Sequence, residues 1–191
     1  MKEPLLAEKE LELDLSFDGG ILDLLDDDID QALKNILIKA ELWEKLLKNW
    51  INYIRVTPIF SCPKVVRISS SVSMGLKYTD DETIAALNAS WRQKSEKTDV
   101  LSFPVIDDEI YFPRDQSVEL GDIVVSIKMA EQQAKEQGHS LEKELLWLVS
   151  HGLLHLLGWT HATKQRLNEM LGCQEQLLSI DGNLQTHVVK T

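Results

Sequence analysis

The chain has 191 residues, 43% of them hydrophobic, which suits one domain with a core of its own. Its formal charge is −11, yet residues 1–30 hold 11 acidic and 2 basic residues, while the other 161 hold 20 and 18. The acidity is therefore local, and it does not exclude a polyanionic partner for the rest of the chain. Met1-Lys2-Glu3-Pro4 opens without an apolar stretch of the signal-peptide kind, and the most apolar window, Leu145 to Trp159, is too short to span a bilayer. These features predict a soluble cytoplasmic protein with no membrane partner. Cys62 and Cys173 form no C-x-x-C pair and read as two reduced thiols.

Residues 1–28, with Gly19-Gly20 and Asp26-Asp27-Asp28, read as an acidic, mobile, solvated arm. From Asp30 a helical pattern takes over. Leu33, Ile36, Leu37, Ala40, Trp43, Leu47, Trp50, Ile51 and Ile54 form one apolar stripe at three-and-four spacing. Pro58 and Pro63 bracket a loop. Val65–Ser69 and Val72–Tyr78 read as extended, the second by strict alternation. Thr79 and Glu82 fit a capping box for a helix that carries Ile84, Leu87 and Trp91 on one side.

Thr98–Phe103 reads as a strand closed by Pro104, residues 105–119 as a polar loop, and Gly121–Ser126 as a central strand. A helix to Gln137 ends at Gly138. Ser140 caps the next helix, which is apolar nearly all round and so expected to be buried. A last helix runs from about Ala162 to Ile180, and a frayed tail covers 181–191. A single domain over 29–180 is expected. Strands and helices without clean alternation point to an α+β fold, with a small mixed β-sheet packed against several helices.

The densest chemical signal is His151-Gly152-Leu153-Leu154-His155-Leu156-Leu157-Gly158-Trp159-Thr160-His161. Positions i and i+4 of a helix lie on one face, so His151 and His155 can grip one ion. Gly158 can reverse the chain in the left-handed conformation and return His161 as a third nitrogen. Three nitrogens leave one tetrahedral position open, as in catalytic zinc sites. The imidazoles also suit nickel, copper or iron. Zinc proteases place a glutamate after the first His, where this chain has Gly152. His139 and His187, at a helix start and in the tail, read as solvated.

A second patch runs from Leu87 to Pro104. Arg92 has a guanidinium suited to bidentate phosphate contact, Lys94 and Lys97 add charge, and Asp99 can anchor Arg92 or a ligand's partner.

Taken together, the chain resembles the YbeY family of rRNA maturation endoribonucleases. Three segments carry the likeness in order: Leu87-Asn88 through Arg92 to Thr98-Asp99-Val100-Leu101-Ser102-Phe103-Pro104, then Glu119-Leu120-Gly121-Asp122-Ile123, then the histidine motif. The resemblance implies that His151, His155 and His161 hold one metal per chain, commonly assigned as Zn2+. It implies that Arg92 is catalytic in the same cleft. Lys94 and Lys97, by their charge beside it, are candidate further contacts to RNA. The resemblance also implies single-strand cleavage in small-subunit rRNA 3′-end processing and ribosome quality control. Two rival readings stand beside it: a non-catalytic ribosome-assembly factor with a structural zinc, and a metallopeptidase that lacks the usual Glu and takes its base from Glu144 or Asp99. Implied partners are rRNA, the ribosome, a small-subunit ribosomal protein and an assembly GTPase. Relatives usually have Asp before the third His; here it is Thr160.

Overall fold

The computed structural model describes residues 11–20, 25, 31–94, 96–106 and 117–181. The expected tail beyond 181, His187 and most of the polar loop before 117 lie outside the described residues. Among the described residues, four strands form one sheet in the order β1-β2-β4-β3. They are β1 (Glu12–Asp18), β2 (Ser71–Thr79), β3 (Val100–Pro104) and β4 (Val118–Ser126). β1, β2 and β4 run parallel, and β3 pairs antiparallel with β4. The α+β expectation, with a small mixed sheet, holds.

β1 corrects the sequence reading. Glu12–Asp18 lies inside the segment expected to be a mobile arm, yet it pairs along its whole length with β2. Leu13 is buried, and Leu15 and Phe17 pack on the core, while Glu12, Asp14, Ser16 and Asp18 face outward. That alternation is a strand signature. The acidic composition masks it, because the charges occupy only the solvent face.

Parallel strands need a crossover. Between β1 and β2 it is built from α1 (Gln31–Leu37), α2 (Ala40–Val56) and α3 (Lys64–Ile68). The single helical stripe is interrupted at Ile38–Lys39, and the buried Trp43 indole donates to the Leu37 carbonyl there at 3.1 Å. Trp43, Leu46, Leu47, Trp50, Ile51 and Ile54 are buried on α2, as the stripe predicted. α3 occupies a stretch that reads as extended. Tertiary contacts override the β-branched pair: Arg67 donates to the Arg55 carbonyl at 2.5 Å, and Arg55 to the Ser69 carbonyl at 2.6 Å.

α4 (Asp81–Arg92) begins one residue later than the capping box suggests. Thr79 closes β2 and is buried, so Asp80 is the cap, accepting from the Thr83 amide at 2.6 Å. α5 (Ile127–Gln137) ends at Gly138 in the left-handed conformation, φ 69°. α6 (Leu141–Leu156) starts on the Ser140 cap, and α7 (Lys164–Asp181) follows the turn at Gly158.

The buried faces of β2 and β4 pack with α2 and α6 in the main core. Ile84, Leu101 and Val124 make a smaller cluster beneath α4 on the other side. α6 approaches the sheet closely at Gly152. A Cβ there would lie 2.9 Å from Ile123 Cγ2, and the Gly152 carbonyl accepts from Ser102 Oγ at 3.2 Å. No disulfide joins Cys62 and Cys173. Among the described residues, no helix is long and apolar enough to cross a membrane.

Candidate metal centre

His151 and His155 sit one turn apart on α6, and their Nε2 atoms are 3.1 Å apart. The chain then leaves the helix through Gly158 at φ 82° and brings His161 back. The His161 ring centroid lies 5.2 Å from that of His155 and 5.8 Å from that of His151. One ligand atom from each of the three lies within 4.8 Å of the others.

The second nitrogen of each helical histidine is already committed. His155 Nδ1 lies 2.9 Å from the Trp159 carbonyl, which can only accept. His151 Nδ1 lies 3.4 Å from Gln174 Oε1. Gln174 is fully buried, and its amide nitrogen donates to the Trp147 carbonyl at 2.7 Å, so its oxygen is the atom turned to His151. Both imidazoles therefore carry their proton on Nδ1 when neutral. Two unprotonated Nε2 atoms then face each other, an arrangement that a cation between them relieves. Burial lowers the His151 pKa from its ordinary 6.5, with Gln174 pulling the other way, which favours the neutral ligand form. This donor set fits a metal held by three imidazoles.

The three histidines line a cleft of about 250 Å³ together with Thr98, Asp99, Ser102 and Trp147. Asp99 is held in place. Its carboxylate accepts from the Val100 amide at 2.8 Å and from Gln133 Nε2 at 3.1 Å.

Lys94, Lys97 and Glu144 are not among the residues that line this cleft. Arg92 is the last residue of α4, and its side chain lies outside the described residues. Lys94 is exposed in the following loop, and Lys97 pairs with Asp81 at 3.0 Å; neither is among the cleft-lining residues. Glu144 is buried and bonded to His139, so it does not reach the cleft. That bond also corrects the solvated reading of His139: its partner lies one turn into α6. Thr160 accepts from Arg166 Nη1 at 3.1 Å.

Sequence reasoning missed Gln174 and Trp159 as supports of the histidines. The Trp159 contact was legible, since the Gly158 turn folds that carbonyl onto the helix end. Gln174 stands 23 residues from His151, and no local pattern marks it.

The model of the family described as "Endoribonuclease YbeY" matches residues 28–180. This chain belongs to the YbeY family. Among curated relatives, the endoribonuclease YbeY of Prochlorococcus marinus strain MIT 9313 is 52% identical over 93% of this chain and 95% of its own. That of P. marinus strain MIT 9211 is 51% identical over 82% and 84%. That of Synechococcus sp. strain CC9902 is 48% identical over 91% and 94%. A solution structure from Thermotoga maritima is 22% identical over 88% and 90%, with a TM-score of 0.44.

Proposed function

We propose that the three-His cleft is the catalytic centre of this YbeY-family endoribonuclease, a hydrolase of RNA phosphodiester bonds, and that it holds one zinc ion per chain. The observation that carries the reading is the pair of Nε2 atoms facing each other at 3.1 Å while both Nδ1 atoms are occupied by acceptors. His151, His155 and His161 would be the ligands. A bound divalent ion supplies Lewis acidity toward a phosphate oxygen and eases deprotonation of water.

The chain's own groups supply position. Arg92 ends α4, and Thr98 and Asp99, a few residues later, line the cleft. In this reading Arg92 holds the scissile phosphate and offsets the charge that builds on it. Asp99, fixed by Val100 and Gln133, sets a negative charge opposite the histidines. Lys94 and Lys97 act farther out, on the flanking strand. The nuclease domain spans residues 29–180, and β1 adds its edge strand.

The substrate in this reading is single-stranded RNA at the 3′ end of small-subunit rRNA. The setting is ribosome maturation and quality control in the cytoplasm, with a small-subunit ribosomal protein and an assembly GTPase as partners. Family membership supports it. Elemental analysis beside an RNA cleavage assay tests it. Wild type should carry one metal per chain and cleave. His155→Ala should stay folded and lose both. Arg92→Ala should keep its metal and lose about a hundredfold in rate. Stoichiometric metal without cleavage by the wild type would make the metal structural instead.

A further inference from the structure

A second cleft, of about 480 Å³, opens on the other side of the loop that carries His161. Gly158, Trp159 and Thr160 line it, so it ends one residue short of a proposed metal ligand. Its volume lies in the range of small-molecule sites.

Its walls are set before any ligand arrives. The Trp159 indole donates to the Ser61 carbonyl at 2.9 Å, and its ring packs edge-on to Phe60 with centroids 6.2 Å apart. Ile59 stands at the same cleft 79% exposed. Arg166, held on Thr160 at 3.1 Å, places a guanidinium at the side nearest the histidines.

Gly172 adds a separate indication. It lies in the interior of α7 and lines the cleft. Glycine there costs about 1 kcal/mol relative to alanine. Among the described residues no neighbour demands it, because a Cβ at Gly172 would meet no atom within 4 Å. The absent side chain keeps the cleft open, not the fold intact.

We infer that this cleft receives one base of a single-stranded RNA, stacked on Trp159, with the adjoining phosphate on Arg166. An anchored aromatic beside a guanidinium is the chemistry that single strands use, since every base offers a π-face. The site would hold a nucleotide flanking the bond cut at the three-His cleft. It therefore rests on the reading of that cleft as the nuclease centre.

The test uses the zinc-loaded full chain and a fluorescent single-stranded RNA, unmodified or with one abasic residue moved along it. KM is read from cleavage and Kd from anisotropy. Gly172→Leu fills the cleft with a good helix former, so the fold should hold. Its KM and Kd should rise about tenfold. One abasic position should cost wild type a similar factor and cost Gly172→Leu nothing further. Arg166→Ala should weaken binding and flatten its salt dependence by about one phosphate contact.

Unchanged KM and Kd in both variants would overturn the inference, as would an abasic penalty that is the same at every position. So would a cleft that takes up a protein segment while RNA affinity stays put. Absence of cleavage by the wild type would instead count against the nuclease centre, and the anisotropy arm would still judge this site.

Discussion

On the α6 side of the candidate metal centre, the two histidines are tied down. His155 is held by a carbonyl from its own helix end, and His151 by a buried glutamine that is itself oriented by Trp147. The backbone beneath them is pressed onto the sheet at Gly152. The segment after α4 is held more loosely. Asn88 Nδ2 donates to the Glu96 carbonyl at 2.8 Å, and Lys97 reaches Asp81, but Gln93, Lys94, Glu96 and Lys97 are all exposed. An ion needs donors fixed to fractions of an ångström, whereas a mobile polyanion is met well by long cations that adjust. The difference in rigidity is the one that the roles proposed above would require.

The sharpest way to break the comparison is Gly152→Glu, which restores the protease-like H-E-x-x-H. Its Cβ would be 2.9 Å from Ile123 Cγ2 and 3.2 Å from Ser102 Oγ. The carboxylate would face the sheet, not the metal. Thermal unfolding should show a loss of about 3 kcal/mol or more, near 10 °C in Tm, and a peptide digest should show no gain of peptidase activity. A variant as stable as wild type would mean that α6 has room here.

Gln174→Leu should come next. It removes the acceptor from His151 Nδ1, so zinc affinity measured by competition with a chelator should fall about 10- to 100-fold. Gln174→Glu keeps an acceptor and should bind more tightly than the leucine variant. Equal affinities would dismiss Gln174 as a positioning residue.

The smallest effect belongs to Asp81, on the looser side. Burial pushes its pKa up, but the Ser126 hydroxyl and Lys97 outweigh this and hold it below the ordinary 3.8. The folded state therefore binds less proton than the unfolded chain, and this contribution is present above 3.8 and lost as pH falls through the folded value. Asp81→Asn should cost under about 1 kcal/mol near neutral pH, with the gap to wild type closing as pH falls below 3.8 in acid unfolding.

Much of this was written in local pattern. The α2 stripe, the Ser140 cap, the Gly138 and Gly158 turns and the histidine spacing all follow from periodicities of one or two turns, and the structure keeps them. The errors have physical causes. Composition hid β1, because alternation places the acidic residues on one face only. Propensity misled at α3, where Arg55 and Arg67 hold a helix that two valines argue against. Gln174 and the tight seat of Gly152 depend on residues 23 and 50 positions away, so no window along the chain contains them. By itself the sequence determined which residues can come together to ligate a metal, since helix pitch and one glycine turn are local. Only the tertiary structure decided which nitrogen of each imidazole is presented, why no side chain fits after His151, and what lies on either side of the His161 loop. Those depend on packing between elements that meet only once the chain has folded.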